Sequence, residues 1–219
     1  MRIQERSFAA PLECRYLLRP GESGGALVVA LHGYGQDAET MLKLTERMVG
    51  PRHSIAALEG PYGFYLRTDA RDVGYGWATT RRHADAVRLH HEMVRHTLEA
   101  AGNAVGVPAE RRVLLGFSQP VSLNYRFAGA CPGLARGVIG ICGGLPGDWD
   151  DAAPQPIGAA ILHIARRDDE HYPAAVTEQF AARLRLRCAD VEFHQFEGGH
   201  RVPSGGGPLI QGWLQRLLS

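Results

Sequence analysis

The chain alternates short, uninterrupted apolar runs with longer segments of helical periodicity, and this alternation restricts its fold more than any other feature. A strand that is apolar at every position must be covered on both faces, which is the condition met by a mainly parallel sheet sandwiched between helices. Strands are expected at 13–19, 26–32, 54–58, 112–117, 137–142, 159–165 and 191–196, and helices at 37–49, 84–101, 119–130, 173–187 and 209–218. The fold class is therefore α/β, with helices on both faces of the sheet. Three longer irregular stretches, 60–82, 143–158 and 198–208, are expected as loops, and loops of that length often carry function. With 219 residues, 45% of them hydrophobic, the chain is long enough to bury one substantial core, and a single domain over 1–219 is expected.

Charge narrows the range of partners. The 24 basic and 23 acidic residues leave a net charge of +1, so no concentrated field is available for nucleic acid or a membrane surface. The first twenty residues lack an apolar core of signal-peptide length, and no later run is apolar for long enough to span a bilayer. A cytoplasmic protein without membrane insertion is expected. Cys14, Cys131, Cys142 and Cys188 are far apart and form no CxxC pair, which points to buried free thiols and not to a disulfide framework or structural zinc.

The strongest local signal is Val113-Leu114-Leu115-Gly116-Phe117-Ser118-Gln119, a buried-strand pattern that runs into a serine and then directly into a helical pattern. Such an elbow lifts the hydroxyl above the sheet while the next helix brings N–H groups to a developing oxyanion. Taken alone, the same pattern also fits an ordinary serine N-cap. Asp169 and His200 follow Ser118 in the chain, each just after an expected strand, so all three side chains can converge at the carboxyl edge of one sheet. The order Ser…Asp…His is that of α/β-hydrolases. The residue types suit one chemistry: the serine needs an imidazole to take its proton, and the imidazole needs a carboxylate to fix its tautomer. Asp168 competes with Asp169, both lying in the charged run Arg166-Arg167-Asp168-Asp169-Glu170, and His200 also fits a solvated loop histidine. A second glycine turn, Leu31-His32-Gly33-Tyr34-Gly35, stands where the other oxyanion amide is expected. The hole is assigned to the N–H groups of Tyr34 and Gln119, with His32 as a structural residue of the turn.

Other patterns carry less. The histidines of His91-Glu92-Met93-Val94-Arg95-His96 are five apart, whereas two ligands on one helical face need a spacing of about four, so that stretch, with the adjoining His90, is read as a solvated face without a role. No cysteine stands at an elbow, and no nucleotide-binding glycine motif is present. Gly205-Gly206-Gly207-Pro208 is read as a flexible connection into the last helix.

Five segments together give the chain a family resemblance: Leu31-His32-Gly33-Tyr34-Gly35-Gln36-Asp37, Gly116-Phe117-Ser118-Gln119, Cys142-Gly143-Gly144-Leu145-Pro146, Asp169-Glu170-His171-Tyr172-Pro173 and Gly198-Gly199-His200. Over nearly its whole length it resembles the phospholipase/carboxylesterase group of α/β-hydrolases, which includes acyl-protein thioesterases and small carboxylesterases. The resemblance implies Asp169 over Asp168, because the family's aspartate stands four residues before a proline, here Pro173. It also implies a place at the acyl pocket for Trp77, in Gly74-Tyr75-Gly76-Trp77, with buried packing in the core as the alternative. The expected activity is cleavage of a small-molecule ester or thioester by Ser118, His200 and Asp169, with no metal or organic cofactor, in a monomer or homodimer. One residue departs from the pattern: Pro120 replaces the second elbow glycine. Proline disfavours the helical region for the residue before it, so Gln119 is expected to be displaced and the oxyanion hole altered. A non-catalytic binding protein on the same scaffold is the alternative that this departure raises.

Overall fold

The computed structural model describes residues 3–67, 71–149 and 156–219. In chain order its strands are β1 (Tyr16–Arg19), β2 (Leu27–Leu31), β3 (Ser54–Leu58), β4 (Tyr62–Tyr65), β5 (Val73–Gly76), β6 (Arg112–Phe117), β7 (Gly137–Ile141), β8 (Ala160–Arg166) and β9 (Val191–Phe196). Seven of them form one sheet in the order β1-β3-β2-β6-β7-β8-β9, parallel except for β1, and β4 pairs with β5 in a separate hairpin. The α/β expectation is met. The register brings the central strands to a common carboxyl edge: Leu31 lies beside Gly116, Gly116 beside Gly140, and Ile141 between Phe117 and Ile164. The residues just beyond this edge are His32, Ser118 and Cys142, so parallel pairing alone gathers three of the glycine-turn motifs.

Among the described residues six α-helices accompany the sheet: α1 (Ala38–Val49), α2 (His83–Val105), α3 (Pro120–Ala130), α4 (Ala174–Thr177), α5 (Phe180–Arg185) and α6 (Gly206–Leu218). Successive strand side chains point to opposite faces, and the core divides accordingly. Val28, Val113, Leu115 and Ile139 pack with Met41 and Met48 of α1 and with Ile210 and Trp213 of α6. Val29, Leu31, Leu114 and Val138 pack with Val94 and Leu98 of α2 and with Val121 and Phe127 of α3. Asp37 caps α1, its Oδ1 accepting from the Thr40 N–H at 2.7 Å, which satisfies one of the helix's unpaired first-turn donors.

Five local expectations need correction. The stretch 60–82 contains the β4–β5 hairpin, whose Tyr62-Gly63-Phe64-Tyr65 strand is largely exposed and so lacks the continuous apolar run of a buried strand. The helix expected over 173–187 is interrupted at Glu178-Gln179 into α4 and α5. The glycines before Pro208 form the first turn of α6 and not a loose connection, because a proline in a first turn lacks only an N–H that would have had no intrahelical partner. His90 is fully buried between Trp77 and Asn124 and does not share the solvated face of α2. Of the four free cysteines, Cys142 and Cys188 are buried as expected, whereas Cys14 is exposed and Cys131 half-buried.

Candidate active site

Ser118 follows β6 with φ 64°, a left-handed backbone conformation that a non-glycine residue adopts only at a cost. The surrounding structure holds it there. Its N–H donates to the Ile141 carbonyl at 2.8 Å, extending the β6–β7 pairing by one residue, and its own carbonyl accepts from the Val121 N–H at 3.2 Å. The turn is too tight for side chains on its flanks: a Cβ on Gly116 would lie 2.8 Å from Asn124 Nδ2, and one on Gly143 would lie 2.3 Å from Val121 Cβ. At Pro120 the departure is accommodated. Gln119 stays helical at φ −52°, ψ −45°, and Pro120 takes the first position of α3, contrary to the expected displacement. The physical reason is the Gln119 side chain, whose Oε1 accepts from the Trp77 N–H at 2.8 Å while its Nε2 donates to the Ala78 carbonyl at 2.9 Å. Tied at both ends of its amide, Gln119 has little freedom to swing away.

His200 and Asp169 meet Ser118 from the ends of β9 and β8. Asp169 Oδ2 lies 2.8 Å from His200 Nδ1, and His200 Nε2 lies 2.8 Å from Ser118 Oγ. An ionised carboxylate only accepts, so Nδ1 carries the proton and Nε2 is left to accept from the serine hydroxyl. Asp169 Oδ1 takes the N–H groups of His171 and Tyr172, each at 2.9 Å. Burial alone would raise the pKa of this carboxyl. The hydrogen bonds from His200 and the two amides outweigh burial, and its pKa lies below the usual aspartate value. Asp168, the competing carboxylate, accepts from the Gly198 N–H at 3.0 Å instead, and Glu170 Oε2 accepts from the His200 N–H at 3.1 Å. All three acidic residues of the run thus hold the histidine loop, one through the ring and two through the backbone.

His32 is fully buried and structural. Its Nε2 accepts from the Gly60 N–H at 2.9 Å, which places the proton on Nδ1, 2.8 Å from the Gly33 carbonyl. Burial lowers its pKa and keeps the ring neutral. Of the two readings of Trp77, the structure has the buried one: its Nε1–H finds the His32 carbonyl at 2.8 Å, so the whole ring can leave solvent without an unpaired donor. The N–H groups of Tyr34 and Gln119 donate to no group among the described residues, and both flank the Ser118 side of the sheet edge. The Tyr34 ring is largely exposed and stacks on Phe64, centroid to centroid 4.7 Å.

A cavity of about 430 Å³ opens over Ser118 and His200, lined further by Tyr34, Phe117, His171 and Arg201. Beneath it, Cys142, Asp169 and His200 bring one potential metal-ligating atom each within 4.8 Å of the others. The imidazole and carboxylate of this cluster are already bonded to each other, and the Cys142 thiol donates to the Arg201 carbonyl at 3.4 Å. Burial and the neighbouring Asp169 charge push that thiol up to about 12, so it keeps its proton.

A family model described as phospholipase/carboxylesterase matches residues 12–206. The chain belongs to this family. No curated protein sequence matches it significantly. Among solved structures, the carboxylesterase from Mesorhizobium loti superimposes with a TM-score of 0.76 at 21% identity, covering 95% of this chain and 98% of that one. The Bacillus cereus carboxylesterase gives 0.74 at 15% identity over 93% and 94%, and esterase PE8 gives 0.74 at 21% over 94% and 100%. At these identities the likeness establishes a shared fold.

Within this phospholipase/carboxylesterase family member, several residues around the cavity are not singled out by sequence reasoning. Glu170 reads as part of a surface charge run, His171 sits unremarked inside the Asp169–Pro173 segment, and Arg201 follows the histidine with no motif of its own. The side-chain role of Gln119 has no sequence signal, since its partners at Trp77 and Ala78 lie about forty positions away. Only adjacency to Asp169 and His200 could have drawn attention to the first three.

Proposed function

We propose that this chain cleaves a carboxylic ester or thioester through an acyl-enzyme. Ser118 Oγ attacks the carbonyl carbon as its proton passes to His200 Nε2, and Asp169 holds the imidazole in the tautomer that leaves Nε2 free to accept. The oxyanion that forms is met by the N–H groups of Tyr34 and Gln119, near the positive end of α3. His200 then returns the proton to the departing alcohol or thiol. Water enters by the same route in reverse and frees the acid. The observation that carries this reading is the continuous chain Asp169–His200–Ser118, with two contacts of 2.8 Å, on a serine with φ 64°.

The test is hydrolysis of a chain-length series of p-nitrophenyl esters by the wild type and by Ser118→Ala. Loss of the nucleophile should lower turnover on the order of a millionfold, and the wild-type series gives the acyl preference. A wild type inert on every ester, and unlabelled by a fluorophosphonate, would favour a binding protein on a hydrolase scaffold. That alternative drew its force from displacement of Gln119 by Pro120, and Gln119 remains helical.

A further inference from the structure

Arg201 is the one side chain of fixed charge lining the cavity over Ser118 among the described residues, and no carboxylate lines it. Asp169 and Glu170, which precede His171 in the chain, are engaged with the His200 ring and the His200 N–H respectively. The guanidinium of Arg201 itself has no hydrogen-bond or ion-pair partner among the described residues. By contrast, Arg167 is paired with Glu197 at 2.8 Å and Arg216 with Glu192 at 2.8 Å. The backbone of Arg201 is meanwhile fixed, its carbonyl accepting from the Cys142 thiol and the preceding N–H held by Glu170. His171, on the same cavity and 4.6 Å from the His200 ring centroid, adds a second group that is neutral or positive and never negative.

We infer that Arg201 makes this an anion-accepting pocket, selective for esters that carry a carboxylate or phosphate close to the scissile bond. The inference rests on the esterase reading and narrows its substrate class. A guanidinium on a rooted backbone lining this cavity concentrates anionic substrate and offers a planar fork to two oxygens. A neutral ester gains nothing from it. The anion can sit on the acyl or on the alcohol side of the ester, and the two are separable by experiment.

The measurement compares kcat/KM for isosteric pairs: monomethyl glutarate against methyl glutaramate for the acyl side, and para-carboxyphenyl butyrate against para-carbamoylphenyl butyrate for the alcohol side. The wild type should prefer the anionic member of at least one pair by about three- to fivefold at low ionic strength, the scale of one exposed charge-assisted contact. That ratio should collapse toward unity in Arg201→Gln and persist in Arg201→Lys. Rising salt should erode the wild-type ratio as well, a readout that does not depend on the variants folding. A wild-type ratio near unity for both pairs, a ratio undiminished in Arg201→Gln, or one indifferent to salt would overturn the inference while Ser118-dependent hydrolysis of neutral esters still stood. Failure to hydrolyse any ester would overturn the esterase reading and this one with it.

Discussion

Both oxygens of Asp169 are occupied, Oδ2 by the His200 ring and Oδ1 by two backbone N–H groups. An amide in this place cannot accept on both sides, so Asp169→Asn must confront a donor with a donor. Either the loop amides lose their acceptor or the imidazole takes the tautomer that protonates Nε2. In the second case turnover should fall by about ten-thousandfold, measured as kcat on whichever ester the wild type cleaves best. Asp168→Asn keeps an acceptor for the Gly198 N–H and should cost less than about tenfold, since the backbone bond it makes is a neutral one once substituted. The distinction between these two carboxylates is barely legible in the sequence. It depends on how the chain turns after β8, which only the proline four residues beyond Asp169 hints at. Acid dependence also belongs to single residues. Asp169 has a lowered folded pKa, so its contribution to stability is complete above the unfolded value of about 3.9 and is lost as pH falls through the folded value. Burial depresses His90 and His163 to about 3. The unfolded chain takes up their protons first, and stability declines as pH falls from about 6.5 toward 3. Urea unfolding should therefore show a lower midpoint at pH 5 than at pH 7, and His90→Gln, which retains a donor for Asn124, should flatten that difference.

Among the elements, the elbow and its helix illustrate how a local rule is overridden by a tertiary contact. Pro120 disfavours a helical Gln119, yet two side-chain hydrogen bonds to the segment after β5 hold Gln119 in place. Removing them in Gln119→Ala leaves the Trp77 N–H without its acceptor and should cost about 1–3 kcal/mol in denaturant unfolding. Pro120→Gly, by contrast, restores chain entropy to the unfolded state and should destabilise by about 0.4–1 kcal/mol. Strands buried on both faces were legible because they leave a continuous apolar signature: β3 and β6 match the expected 54–58 and 112–117. β4 and β5 were not, since a half-exposed hairpin rich in glycine and tyrosine satisfies its backbone by pairing with itself and needs no apolar run. The break between α4 and α5 was equally hidden, because its sequence carries neither glycine nor proline.

At the scale of the whole molecule, the parallel sheet sets which groups can meet. Ser118 hangs from β6, at the centre of the sheet, with fully buried strands on both sides. His200 hangs from β9, the outermost strand, which is only half-buried along its length. Edge strands and the loops they carry open at lower free energy than the centre. Heat should thus disconnect His200 before it disturbs Ser118. Reactivity of Ser118 toward a fluorophosphonate should fade over a temperature range in which buried Trp77 and Trp213 still report an intact core, and should return on cooling. Activity assayed during warming would then follow the docking of one strand, and the temperature at which the protein ceases to work would lie below the temperature at which it ceases to be folded.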